Sequence, residues 1–183
     1  MPTLTRAGYI PQGGTIGIIG GGQLGQMMAL DAKYAGMKVI ILDPTPNCPA
    51  GQCADDQIVA PYEDKQAIEE LAKRADVLTY EFENVDLAAL EAVADQVAIP
   101  QGTELLRITK DRIREKTFLQ EAGLSTAPFA AVTNQAELEA AVTKIGYPSV
   151  LKTCEGGYDG HGQVILKSAA DLAKCTDVLA TGN

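Results

Sequence analysis

Short unbroken apolar runs alternate along the chain with longer stretches whose apolar residues recur at helical spacing. Thr15 to Ile19 is a β-branched run ending in glycines, the signature of a buried strand, and Gln23 to Tyr34 carries Leu24, Met27, Met28 and Leu30 at helical intervals. Gly36 is placed to close that helix. Met37 to Leu42 is a second apolar run ending at Asp43, and Pro44-Thr45-Pro46-Asn47-Cys48-Pro49 must loop, because its prolines block helix and interior strand alike. The pattern continues with a helix from about Asp64 to Arg74, a strand at Asp76 to Tyr80, a helix around Asp86 to Asp95 and a short apolar Val97 to Ile99. Strand and helix in strict alternation predict an α/β fold with a doubly wound parallel sheet.

After Pro100 the pattern changes. Thr109 to Ala122 is highly charged with an apolar stripe at Ile113, Thr117 and Leu119, which predicts one exposed helix ended by Gly123. A strand at Phe129 to Val132, a helix at Gln135 to Ile145, a strand at Ser149 to Lys152, a glycine loop, a strand at Gln163 to Leu166 and a helix from Ala169 to Leu179 follow. A boundary near residue 105 divides a first domain, 15–105, from a second, 106–183. Residues 1–14 show no periodicity and read as an irregular leader without assigned function.

Composition narrows the classes. An apolar content of 46% over 183 residues suits one or two cores. Fifteen Lys and Arg against 24 Asp and Glu give a net charge of −9, which argues against a general nucleic-acid or membrane-surface role, so bound anions must be held locally. No apolar run approaches the roughly 18 residues needed to span a bilayer, and the first 14 residues lack the blocks of a secretory signal, so a cytoplasmic address is expected. Cys48, Cys53, Cys154 and Cys175 form no CxxC pair and His161 is the single histidine, so reduced, unpaired thiols and no thiolate metal site are expected.

Two glycine motifs carry the candidate chemistry. Gly20-Gly21-Gly22-Gln23-Leu24-Gly25 is a GxGxxG that follows a strand and opens a helix, with Asp43 ending the next strand. Such glycines let the backbone turn sharply and approach an anion at the positive end of the helix. The same turn also serves packing in domains that bind no dinucleotide, and the units after residue 100 are not those a dinucleotide fold needs. In the second motif Lys152 ends an apolar strand, and Gly156-Gly157-Tyr158-Asp159-Gly160-His161-Gly162-Gln163 joins it to the next, antiparallel strand. A lysine beside a mobile glycine loop is a device for covering a polyphosphate, although a plain glycine-rich hairpin with an exposed lysine has the same outline.

The run from Thr109 to Lys116, followed by Gly123-Leu124-Ser125-Thr126-Ala127-Pro128, resembles the lead into an ATP-grasp fold. The loop Gly157-Tyr158-Asp159-Gly160 with Gly162-Gln163 resembles the carboxyaminoimidazole ribonucleotide synthetase family. Gly21-Gly22-Gln23-Leu24-Gly25 and Thr79-Tyr80-Glu81-Phe82-Glu83-Asn84-Val85 support it, so the resemblance covers about Thr15 to Gln163. It implies a Rossmann-like pre-ATP-grasp domain followed by the first, α+β part of an ATP-grasp domain. It also implies an ATP-dependent ligase that carboxylates 5-aminoimidazole ribonucleotide with bicarbonate through carboxyphosphate, in purine biosynthesis.

By position, Arg112, Lys152 and the loop Gly157, Tyr158, Asp159, Gly160, His161, Gly162 and Gln163 would hold ATP. Gly21, Gly22, Gln23, Glu81, Tyr158, Asp159 and His161 would face the ribonucleotide. Glu81 and Glu83 share a face if the strand continues through them, so the choice of Glu81 follows the family alone. The family usually has Lys or Arg where this chain has His161, and an imidazole is charged only part of the time near neutral pH. Mg²⁺ is an expected cofactor whose ligands, with those for adenine, belong to a carboxy-terminal part beyond Asn183. The chain therefore reads as truncated and inactive alone, and the whole protein as a homodimer. Other readings are a different ATP-grasp ligase, a dehydrogenase fragment using Gly20 to Gly25 with Asp43 on the ribose of NAD, and a non-catalytic nucleotide-binding module.

Overall fold

The computed structural model describes residues 10–157 and 160–180. The chain divides into two compact units, Met1–Leu106 and Arg107–Asn183.

In the first unit, β1 (Thr15–Ile19), β2 (Lys38–Leu42), β3 (Asp56–Ile58) and β4 (Val77–Tyr80) form a parallel sheet in the order β3-β2-β1-β4. Because side chains alternate along a strand, β1 and β2 serve two cores. Ile18, Val39 and Ile41 pack with Ala29 and Ala32 of α1 (Gln23–Tyr34) on one face. Ile19, Ile40, Leu42, Leu78 and Tyr80 pack on the other with α2 (Lys65–Arg74) and α3 (Leu87–Val93). This is the expected doubly wound α/β arrangement. It leaves an opening at the carboxyl ends of β1 and β4, where the winding reverses direction.

Local signals set the helix ends. Asp64 caps α2 by accepting from the Gln66 and Ala67 amides, and Asp86 caps α3 through Ala89. α1 closes with Gly36 at φ +79°, its amide bonded to Lys33 O and that of Met37 to Ala32 O, the paired bonds of a Schellman ending.

Some expectations need correction. β3 was not predicted: its three residues, Asp-Gln-Ile, are too few and too polar to show a period. Val97 to Ile99 contributes one bridge, Val77 to Ala98, rather than a strand. A separate helix, α4 (Glu104–Thr109), was not predicted. The helix expected over Thr109 to Ala122 forms from Arg112 as α5 (Arg112–Glu121), because Asp111 turns its carboxylate back on the Ile113 and Arg114 amides and starts it there. Thr117, expected in the apolar stripe, is exposed.

In the second unit, β5 (Ser149–Lys152) and β6 (Gln163–Leu166) form an antiparallel pair backed by α6 (Gln135–Ile145). Leu151 and Leu166 face a core with Leu138, Val142 and Cys175. Phe129 to Val132 is not a strand: no ladder forms along it among the described residues, and Phe129 lies under the Lys116 ammonium, 5.3 Å from its ring centre. The expected last helix is a 3₁₀ segment, Ala169–Cys175, opened by a capping box between Ser168 and Asp171, and then α7 (Thr176–Ala180). Among the described residues no helix is long and apolar enough to cross a membrane.

Candidate functional site

In the first unit the loop between β1 and α1 rests on two carboxylates. Asp43, only 5% exposed at the end of β2, accepts from the Gly21 amide at 2.7 Å, the Tyr62 hydroxyl at 2.5 Å and the Thr45 amide at 2.8 Å. Glu81, half-buried just past β4, accepts from the Gly25 amide at 2.6 Å and the Gly22 amide at 3.3 Å. These amides are the free donors at the start of α1, where helix polarity favours negative charge.

Glycine is required here by close approach. A Cβ on Gly25 would stand 2.2 Å from Gly20 O, one on Gly21 would stand 2.2 Å from Cys48 Sγ, and Gly20 turns at φ +109° against the Glu81 side chain. Gln23 begins α1 with its side chain exposed. Glu83 is exposed as well, and the strand ends at Tyr80, so alternation does not extend to Glu81 and Glu83. Of the two, Glu81 is the one engaged with the glycine loop.

This geometry disfavours a dinucleotide. The buried Asp43 carboxylate already accepts from three donors within the protein, and Glu81 sits on the amides that would take a pyrophosphate.

In the second unit, Arg112 is the first residue of α5. Its amide donates to Cys154 O at 3.0 Å and its Nη2 to Gly157 O at 2.7 Å, which fastens the helix start to the base of the second glycine loop. Lys152 and Gln163 pair across β5 and β6, so they share the hairpin's outer face with the exposed Val150 and Ile165. Arg112 and Lys152 both line a cleft of about 390 Å³ with Lys116, Phe129 and Thr153. Thr153 is buried beneath the loop: its amide donates to Gly162 O at 2.9 Å, and a Cβ on Gly157 or Gly162 would come within 3.0 Å of its hydroxyl. Gly160 and Gly162 have φ of +88° and +66°, backbone that only glycine adopts readily. His161 is exposed, and Tyr158 and Asp159 lie outside the described residues.

The structure thus brings Arg112, Lys152, Gly157, Gly162 and Gln163 to one end of the hairpin, and Gly21, Gly22, Gln23 and Glu81 to one sheet edge. Sequence reasoning missed Tyr62 and Thr153. No local pattern marks Tyr62, whereas Thr153 is signalled by alternation, being one step past an exposed lysine. Among the described residues no group of three or more His, Cys, Asp or Glu side chains is arranged to hold a metal ion. The described residues do not form a Mg²⁺ site by themselves.

A parallel sheet with a carboxylate-bound glycine loop at its switch point, followed by a lysine and glycine-loop hairpin, defines a class. Residues 14–110 match the ribonucleotide synthetase pre-ATP-grasp domain and residues 117–183 the ATP-grasp domain, and the chain belongs to this ribonucleotide synthetase family. Its particular likeness is to N5-carboxyaminoimidazole ribonucleotide synthase. It is 49% identical to that protein of Bacillus subtilis (strain 168) over 170 residues, 93% of this chain and 45% of the relative. The Staphylococcus aureus synthetase complexed with ADP superposes with a TM-score of 0.90 at 41% identity, covering 94% of this chain and 46% of that one. The Aspergillus clavatus synthase in complex with ADP and 5-aminoimidazole ribonucleotide gives 0.80 at 30% identity, covering 92% and 44%. The chain spans a little under half the length of these relatives.

Proposed function

We propose that this chain is the amino-terminal half of an ATP-dependent ligase that carboxylates 5-aminoimidazole ribonucleotide in purine biosynthesis. The observation that carries the reading is the glycine loop fastened by Arg112 beside Lys152, in a chain similar along 93% of its length to an N5-carboxyaminoimidazole ribonucleotide synthase.

Bicarbonate oxygen attacks the γ-phosphorus of ATP, releasing ADP and leaving carboxyphosphate. The 5-amino nitrogen of the ribonucleotide then attacks the carboxyl carbon, phosphate leaves and the nitrogen gives up a proton, which yields the carbamate. Neither step needs a covalent bond to the protein, so its work is placement and neutralisation of charge. Lys152 and Arg112 neutralise the ATP phosphates, and the loop from Gly157 to Gln163, including Tyr158, Asp159, Gly160, His161 and Gly162, covers them. Gly21, Gly22 and Gln23 line the ribonucleotide side with Glu81, whose carboxylate accepts from the 5-amino group; Tyr158, Asp159 and His161 are the second-loop residues that the family resemblance assigns to the ribonucleotide. Mg²⁺, a homodimeric assembly and a cytoplasmic location complete the proposal for the whole protein.

The test is ADP release with bicarbonate, with and without 5-aminoimidazole ribonucleotide, by this chain continued by the carboxy-terminal half of the Bacillus subtilis relative. Release that depends on the ribonucleotide is expected. ATP turnover indifferent to it would keep the nucleotide site and move the acceptor to another substrate.

A further inference from the structure

Among the described residues two polar side chains are buried, Asp43 and Thr153, and each lies directly beneath one of the two glycine loops. A buried carboxylate is costly to desolvate, and an apolar residue of similar size would fill the same space more cheaply. What Asp43 provides that an apolar residue cannot is a fixed acceptor for the Gly21 amide at 2.7 Å.

Tyr62 extends this support to the other wall of the opening. Its hydroxyl donates to the same Asp43 oxygen at 2.5 Å, and its ring meets Phe82 edge-on, with centroids 4.7 Å apart at 69°. Phe82 follows Glu81, whose carboxylate returns to the Gly22 and Gly25 amides. The contacts close a ring: Gly21, Asp43, Tyr62, Phe82, Glu81, and back to the glycine loop. Burial, and then the bond to Asp43, push the Tyr62 hydroxyl well above its ordinary range, so it remains a donor at any working pH.

We propose that Asp43 and Tyr62 are positioning residues for the ribonucleotide site: they set the height of the glycine loop beneath Gly22 and Gln23 and, through Phe82, the orientation of Glu81. This rests on the ribonucleotide reading given above.

The test is amide hydrogen exchange by NMR on the chain continued by the carboxy-terminal half of the Bacillus subtilis relative, with titration of 5-aminoimidazole ribonucleotide and, separately, ATP. In Tyr62→Phe the amides of Gly21, Gly22 and Gly25 are expected to exchange about tenfold faster, the effect of losing one charge-assisted hydrogen bond, while those of Ile18, Ile41 and Thr153 keep their rates. Ribonucleotide affinity should fall about tenfold with ATP affinity unchanged. Phe82→Leu keeps the hydroxyl and removes the ring contact, so it should loosen Gly22 and Gly25 but not Gly21, and it carries the test should Tyr62→Phe fail to fold. Unchanged exchange at Gly22 and Gly25 in both variants overturns the proposal, as does a wild-type chain that binds the ribonucleotide measurably but no more tightly than Tyr62→Phe does. A wild-type chain that does not bind the ribonucleotide counts against the proposed function, and the exchange pattern alone then decides the positioning role.

Discussion

A carboxylate on the free amides at a helix start is held by charge and hydrogen bonding together, typically for about 0.3–1 kcal/mol where solvent reaches it. Glu81 is held in this way through Gly22 and Gly25, whereas Glu83, two residues on, is exposed. Glu81→Gln should therefore lower stability by about 0.5–1 kcal/mol in urea titrations, and Glu83→Gln should leave it unchanged. Gly25→Ala should cost more, about 1–3 kcal/mol, because its Cβ would stand 2.2 Å from the rigid Gly20 carbonyl and the loop must open to admit it. The motif itself made Gly25 legible, since closely spaced glycines after a strand announce close approach. The engagement of Glu81 was not legible, because it depends on where β4 ends, and a strand that stops at Tyr80 gives no rule for the residue after it.

Most elements were readable because period and punctuation agree. Gln23–Tyr34 and Gln135–Ile145 carry helical spacing closed by Gly36 and Gly146, and Ser149–Lys152 and Gln163–Leu166 flank the glycine loop. Misreadings fell where one side chain overrode the period. Asp111 sits inside a pattern that reads as continuous helix, yet its carboxylate takes the Ile113 and Arg114 amides at 2.8 and 3.0 Å. Asp111→Ala should cost about 1 kcal/mol of stability by thermal or urea unfolding. It should also weaken ATP binding, because the capped turn aims Arg112 at the second loop. Asp171 acts similarly at the start of the 3₁₀ segment, where the Lys174 ammonium first, and then the Lys167 and Ser168 amides, draw its carboxyl down from 3.8 to about 2. A depressed folded value means the contribution is present above the ordinary aspartate range and is lost as pH falls through the folded one. Amide shifts of Ser168 and Asp171 should therefore move between about pH 4 and pH 2, and remain flat in Asp171→Asn.

At the scale of the molecule, a similar device recurs in both units: a strand ends, a glycine loop follows, and a buried polar residue holds the loop from below, through its side chain at Asp43 and through its backbone amide at Thr153. Asp43 does this under Gly21 and Thr153 under Gly157 and Gly162. An acidic protein of net charge −9 gains no long-range attraction for anions, so any phosphate it takes up must be held by local donors, among which the proposed function counts Arg112 and Lys152. The first loop is where ribonucleotide and dinucleotide readings diverge. A dinucleotide would need the Gly22 and Gly25 amides for its pyrophosphate and the Asp43 carboxylate for its ribose, and all three are engaged within the protein. Displacing Glu81 would place two anionic groups at one helix start, and freeing Asp43 would strand the Tyr62 hydroxyl and the Gly21 amide without an acceptor, at a cost of about 1–3 kcal/mol for each buried group left unpaired. NAD at millimolar concentration should therefore leave the Gly21, Gly22 and Gly25 resonances unmoved. 5-Aminoimidazole ribonucleotide, whose amino group can meet Glu81 as an acceptor without displacing it from these amides, should shift Gly22 and Gln23. Saturable movement of Gly21 by NAD would restore the dinucleotide reading, since it requires Asp43 to release that amide.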